Sequence, residues 1–223
     1  MSLVLFQRFS DMFPPERELL AVEEDGAFTL WRSFGADSIG RFGGTLPSGA
    51  DLVRLAAAVK ETTPPPSADL EPDASVEVIN VGGVEVEVEA GLSPEGPWGE
   101  LATACRPLLD QLTSAPLAAI QGDVGSGRSL TLRHVGGLPL TIGTASLTVE
   151  AVRWLDGVEV ASSVTRHDGD ERIDAGPGWF LELPINPDVL GEGQVVCTAT
   201  FVAFDGGVVV PVVVTARISS ESD

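Results

Sequence analysis

From Ser129 to the C-terminus, the chain is a series of short strand-like segments, and no helical period occurs. Glycine, proline, asparagine and aspartate separate the strand-like segments, as expected for turns. The segments are 129–135, 138–142, 145–155, 158–165, 179–183, 194–204 and 208–218. A series of short antiparallel strands without helices predicts a β-sandwich of about 100 residues.

The spacing of these strands resembles that of immunoglobulin-like and fibronectin-III-like domains. The resemblance is one of pattern, and it implies that Trp154, on a central strand, is buried between the sheets. The disulfide of antibody domains has no counterpart, because Cys105 lies in a helix-like segment and Cys197 in a strand-like one. Two isolated cysteines of this kind are expected to be buried thiols.

Two hairpins precede this region. Segments 18–23 and 27–32 flank Asp25-Gly26, a pair that favours a tight turn between antiparallel strands. Valines at alternate positions on both sides of Gly82-Gly83 predict the second hairpin, with one apolar face and one acidic face.

Two helices are predicted from apolar residues at helical spacing within 46–61 and 95–113. The fold class is therefore an α+β N-terminal domain followed by an all-β, immunoglobulin-like or fibronectin-III-like sandwich. The expected boundaries are 1–121 for the α+β domain, 122–128 for a glycine-rich linker, 129–218 for the sandwich and 219–223 for a polar tail.

The charge of the chain limits its partners. It has 13 basic and 33 acidic residues, for a formal net charge of -20. A surface this acidic repels phosphate backbones and anionic lipids, so we expect no nucleic acid and no membrane as partner. The apolar run at the N-terminus is too short for a signal peptide, and Pro211 interrupts the longest apolar stretch. We therefore expect a soluble cytoplasmic protein.

Groups that carry out catalysis are scarce. The 223 residues include two histidines, two cysteines, one lysine (Lys60) and no tyrosine, the side chains that most often act as nucleophile or proton shuttle. Segment 122–129 is close to a phosphate-binding loop, but Arg128 replaces the required lysine and a strand pattern follows instead of a helix. The sequence predicts no enzyme activity and no cofactor.

One loop contains carboxylates at alternate positions. Asp168, Asp170 and Glu171 are weak candidates for calcium ligands, because calcium prefers several oxygen ligands. Their spacing lacks the EF-hand pattern and its closing glutamate, so a solvated loop is the favoured interpretation and no metal site is expected.

Aromatic and acidic residues are the candidates for partner binding. Trp179 and Phe180 directly follow a Gly-Pro-Gly turn, and Trp98 lies between Pro97 and Gly99. Exposed, such side chains would be binding hot spots; the alternative is that they anchor the core. The acidic face of the second hairpin adds three candidates, Glu85, Glu87 and Glu89.

These observations favour a non-catalytic protein-interaction module, acting as adaptor, scaffold or assembly component, with a protein partner whose binding surface is basic. The first alternative is an acidic inhibitor or regulator that blocks a basic groove of another protein through Glu85–Glu89. The second is a hydrolase that depends on carboxylates alone, since 33 acidic residues form many pairs.

Overall fold

The computed structural model of the chain is mostly β, with antiparallel sheets and two α-helices among the residues that it describes. Glu171 and much of the proline-rich segment 62–73 lie outside these residues, as does the tail after Ser219. The described residues are 3–10, 16–34, 37–47, 49–66, 74–111, 115–124, 128–170, 172–205 and 207–219.

The chain forms two compact units. The first contains Met1–Arg32 and Arg41–Ala115, and the second contains Ser33–Gly40 and Pro116–Asp223. The chain thus enters the second unit first at Ser33 and again after Ala115, a few residues before the glycine-rich segment that the sequence suggests as linker.

The first unit contains an antiparallel sheet in the order β3-β2-β1-β5-β6. Its strands are β1 (Val4–Ser10), β2 (Glu16–Val22), β3 (Ala27–Ser33), β5 (Val76–Val81) and β6 (Val84–Glu89). Strand β4 (Ser38–Thr45) contributes its last five residues to this unit. The predicted hairpin joins β2 to β3, and Gly26 in its turn has a φ of +81°, which glycine adopts without strain.

Two helices pack in the first unit, α1 (Gly49–Lys60) and α2 (Pro97–Gln111). Helix α2 begins at Pro97, where the missing N–H costs no helical hydrogen bond. One cross-strand row of the sheet is fully apolar, because Leu30, Leu20, Phe6 and Ile79 lie opposite one another on β3, β2, β1 and β5. All four side chains are buried and form the centre of this core.

The second unit contains two antiparallel sheets. One has the order β12-β8-β7, with the first residues of β4 beside β7, and the other has the order β10-β9-β13-β14, with β11 also paired to β9. A 3₁₀ turn covers Pro187–Val189. The strands are β7 (Ala118–Val124), β8 (Ser129–Gly136), β9 (Leu140–Leu155), β10 (Val158–Arg166), β11 (Ile173–Ala175), β12 (Phe180–Pro184), β13 (Gln194–Asp205) and β14 (Val208–Ser219).

Strand β7 packs against β14 of the other sheet. A Cβ added to Gly122 would lie only 2.8 Å from Val214 Cγ1 and 3.7 Å from Ala216 Cβ, so this glycine permits the close approach. The predicted linker therefore begins inside a strand, since Gly122–Val124 end β7. Residues 125–127 lie outside the described part of the chain.

Several elements differ from the sequence prediction. Strands β1, β4, β7 and β11 were not predicted, and the segments 138–142 and 145–155 form one strand, β9. Trp154 lies on β9 but is half-buried rather than buried, next to the end of the β9–β10 hairpin where Leu155 and Val158 are exposed. Among the described residues, neither helix is long and apolar enough to cross a bilayer.

Candidate protein-interaction site

Phe180 is the one exposed aromatic side chain among the described residues, with 63% of its surface accessible. It is the first residue of β12, directly after the turn Gly176–Trp179. The Trp179 N–H donates to Gly176 O at 2.9 Å, and Gly178 has a φ of +86°. Proline at the second turn position and glycine at the third fit a type II turn, which fixes where Phe180 emerges from the sheet.

Trp179 anchors this turn. Its side chain is half-buried, and its carbonyl oxygen accepts a hydrogen bond from the His134 N–H at 3.0 Å. The two predicted aromatic residues therefore have different roles. Trp179 fixes the backbone to β8, and Phe180 faces solvent.

The face of the sheet around Phe180 is polar and ordered by side-chain hydrogen bonds. Phe180 lies opposite Arg133 of β8. The Arg133 guanidinium donates to Gln121 Oε1 at 3.2 Å from Nε and 3.0 Å from Nη2, and Gln121 Nε2 donates to Asp37 Oδ2 at 3.3 Å. Arg133 is thus held toward β7, and Val135, two residues along β8, adds an exposed apolar side chain to the same face.

His134 points to the opposite side of β8 and is buried. Its Nε2 lies 2.8 Å from Leu138 O. Because a carbonyl oxygen only accepts, Nε2 carries the proton and donates, which ties β8 to the turn that follows it. This geometry gives His134 a structural role.

Trp98 is not a surface residue. Only 3% of it is exposed, so the candidate role as a binding hot spot is wrong for this residue. It lies in the first turn of α2 at helical spacing from Leu101 and Cys105, both buried. The spacing was present in the sequence and could have placed Trp98 on the apolar stripe.

The acidic candidates lie on β6, in the first unit. Glu85 and Glu87 are exposed and Glu89 is half-buried, whereas Val86 and Val88 between them are buried. Asn80 Nδ2 donates to Glu85 Oε2 at 3.4 Å across the hairpin. The predicted alternation holds on β6 from Glu85 to Glu89 but not on β5, where Glu77 is buried. The glutamates and Trp179–Phe180 belong to different units.

The weak calcium candidates are not brought together with other ligands. Asp168 and Asp170 are exposed, and the Asp170 carbonyl oxygen accepts from the N–H groups of Thr144 and Ala145 at 3.1 Å each. Glu171 lies outside the described residues. Among the residues that are described, no three histidine, cysteine or acidic side chains form a group that could hold a metal ion.

The strongest ionic cluster was not anticipated. Glu77 of β5 is fully buried, and Arg106 of α2 donates to both of its oxygens, from Nε at 3.1 and 2.9 Å and from Nη2 at 2.6 Å. Arg8 Nε lies 3.3 Å from Glu77 Oε1, and Arg8 Nη1 lies 3.3 Å from Glu18 Oε2. Guanidinium groups thus occupy both oxygens of Glu77, which gives this carboxylate a structural role.

Burial raises the pKa of both thiols above the ordinary value of 9.0. The pKa of Cys105 rises to about 12 through desolvation first and then through the nearby Glu77 carboxylate, while Arg106 opposes the rise. Desolvation raises the pKa of Cys197 to about 11. Thiols that stay protonated at neutral pH are poor nucleophiles.

We expect the free energy of unfolding to fall as the pH rises above 9. The thiols bind protons more tightly in the folded chain, so their contribution is complete below the unfolded pKa and is lost as the pH rises through the folded values. The chain has no tyrosine and one lysine, so few other groups titrate in this range. Urea denaturation at pH 8 to 11 measures the slope.

The matched control is the double variant Cys105→Ala, Cys197→Ala, which should show a shallower loss over the same pH range. A thiol reagent at pH 8 should label both cysteines only after unfolding. Rapid labelling of the folded chain, or an unchanged slope in the double variant, would contradict this assignment.

Comparison of the chain with family models, with curated proteins and with solved structures found no match.

Proposed function

We propose that this chain is a non-catalytic protein-interaction module, an α+β domain joined to an immunoglobulin-like sandwich, that binds its partner through Phe180 and the turn before it. The observation that carries the proposal is the 63% exposure of Phe180 on a turn whose backbone is fixed at Gly176 and His134. A rigid, exposed aromatic ring loses little conformational freedom on binding and buries a large apolar area.

The finer fold is supported by the two antiparallel sheets of the second unit and by the packing of β7 on β14. A sandwich presents loops and edge strands at its periphery, and these commonly carry binding residues. The two buried free thiols are in keeping with a reducing compartment such as the cytoplasm. The formal charge of -20 favours a partner with a basic surface.

Replacing Phe180 by alanine is expected to weaken partner binding about 30-fold, which corresponds to about 2 kcal/mol for a hot-spot aromatic. The experiment isolates a partner with the immobilised chain and then compares dissociation constants by surface plasmon resonance. Because Phe180 is exposed, its removal should leave the urea unfolding midpoint unchanged.

Val164→Ala on β10 is the matched control, since Val164 is 67% exposed on a strand of the other sheet. This variant should bind as the unchanged protein does. Equal affinities for Phe180→Ala and the unchanged chain would exclude Phe180 as the contact.

A second candidate function is an acidic inhibitor that occupies a basic groove through β6. Glu85 and Glu87 are exposed on a strand at the end of its sheet, which favours this alternative. Binding of this kind should be lost at moderate salt and in Glu85→Gln, Glu87→Gln, whereas binding through Phe180 should persist at moderate salt. The affinity at two ionic strengths separates the two candidates.

A further inference from the structure

We propose that the free edge of β12 receives an extended segment of the partner, which adds to the sheet as a further strand and carries a basic and an apolar residue two positions apart. This inference rests on the proposed function and specifies how the partner is recognised. Strand addition supplies affinity through main-chain hydrogen bonds and specificity through alternate side chains.

The hydrogen bonds of β12 show which backbone groups face the free edge. The His134 N–H donates to Trp179 O at 3.0 Å, and the Ile185 N–H donates to Arg128 O at 2.9 Å. In an antiparallel ladder, pairs that exchange hydrogen bonds alternate with pairs that do not. Residues 179, 181, 183 and 185 therefore bond toward β8, and residues 180, 182 and 184 point their backbone groups away from it.

Strand β8 is the only described neighbour of β12. The N–H and C=O groups of Phe180 and Glu182 are thus available to another strand, together with the C=O of Pro184. Because Pro184 has no N–H, Glu182 is the last residue along this edge that can donate a backbone hydrogen bond. An edge with two donors and three acceptors matches a short extended segment.

The side chains next to these groups define the chemistry of the segment. Phe180 and Glu182 are both exposed and, two residues apart, lie on one face of the sheet. No ion pair joins Glu182 to a described residue, and Arg133 on the adjacent strand is turned toward Gln121. The residue opposite Glu182 is therefore expected to be basic, and the residue opposite Phe180 apolar.

The edge of β10, an end strand of the other sheet, is less suited to this role. Strand β10 has a register irregularity between Glu159 and Ala161, and such bulges interrupt pairing at an edge. A second copy of this chain is disfavoured as the occupant, because two molecules of formal charge -20 repel each other. A basic segment of another protein is attracted by the same charge.

The probe is a blocked, fluorescein-labelled peptide in which threonine alternates with lysine and valine: Thr-Lys-Thr-Val-Thr-Lys-Thr-Val-Thr. Residues directly opposite each other in a ladder have their side chains on the same face of the sheet. When the lysine and valine side chains lie on the face of Phe180, the backbone N–H groups of these lysines and valines therefore point toward β12. N-methylation of the lysines and valines should weaken binding about tenfold or more, because the lost bonds are made at the interface. The matched control is N-methylation of the same number of threonines, which should change binding by less than about threefold.

Hydrogen exchange resolved at single amides gives the second readout. In the free chain, the Phe180 and Glu182 amides should exchange fast and those of Leu181 and Leu183 slowly; the peptide should protect the first pair. Glu182→Gln should weaken binding of the peptide, and Glu159→Gln on β10 should leave peptide binding unchanged.

Equal effects of the two methylation patterns would overturn strand addition, and so would protection of the Phe180 and Glu182 amides in the free chain or a β12-mediated dimer in sedimentation. If Phe180→Ala still weakens partner binding in those cases, the interaction role stands and only the mode of recognition is wrong. If Phe180→Ala binds both the partner and the peptide as the unchanged chain does, both proposals are wrong.

Discussion

Replacing Glu77 by alanine is expected to lower the free energy of unfolding by about 3 to 5 kcal/mol, the cost of breaking a buried ion pair by removing one partner. Glu77 is fully buried, and the side chain of Arg106 that holds it is only 18% exposed. Without the carboxylate, the Arg106 guanidinium loses three of its contacts and keeps its bonds to Ser93 Oγ and Leu92 O.

The position of Glu77 in the sheet explains the size of this effect. Arg32, Glu18, Arg8 and Glu77 lie opposite one another on β3, β2, β1 and β5, two residues along from the apolar row that includes Phe6. Charges of alternating sign therefore cross four strands, and Arg106 closes the row from α2. Removing Glu77 leaves Arg8 between its neighbours with one partner fewer.

Urea denaturation followed by tryptophan fluorescence measures this loss. The matched control is Glu85→Ala, which removes an exposed glutamate from the adjacent strand β6 and should have little effect. In a double-mutant cycle, Glu77→Ala and Arg106→Ala should be strongly non-additive. Equal losses for Glu77→Ala and Glu85→Ala would show that the ionic row does not stabilise the fold.

Replacing Gly136 by alanine is expected to lower the free energy of unfolding by about 3 kcal/mol, through backbone strain and overpacking together. Gly136 ends β8 with a φ of +111°, a conformation that residues with a Cβ rarely adopt. An added Cβ would lie 2.9 Å from Ala118 Cα and 2.9 Å from Leu117 O. Both are backbone atoms at the start of the neighbouring strand β7, and they cannot yield as the end of a flexible side chain would.

Gly137→Ala is the matched control, because no atom lies within 4 Å of an added Cβ at the very next residue. This variant should unfold at nearly the same urea concentration as the unchanged chain. Equal unfolding midpoints for Gly136→Ala and Gly137→Ala would contradict the close pairing of β7 with β8 at this point.

Local patterns predicted the elements that local chemistry determines. Asp25-Gly26 marks a hairpin within four residues, and the spacing of the valines on β5 and β6 can be recognised without long-range information. Strand β7 was missed because Gly122 looks like a flexible residue when it is considered alone. A glycine is needed at this position because Val214, 92 residues away in the sequence, lies too close to leave room for a side chain. No local pattern contains this contact.

The candidate site was predictable to a similar degree. Exposure of Phe180 follows from alternation, since Phe180 shares its parity with Glu182, while Leu181 and Leu183 occupy the other face. The burial of Glu77 was not accessible in this way, because its partners Arg8 and Arg106 lie 69 and 29 residues from it in the sequence. A lone glutamate in a strand usually faces solvent, and only tertiary pairing reverses that expectation.

The most direct test of the interaction role is photo-crosslinking from position 180. A benzophenone amino acid replaces Phe180 in one variant and Val164 in the other, and each is irradiated with the purified partner. We predict a covalent adduct from position 180, mapped by mass spectrometry to an extended basic segment of the partner, and none from position 164. Adducts of equal yield from both positions, or none from position 180, would contradict the role of Phe180 as the binding contact.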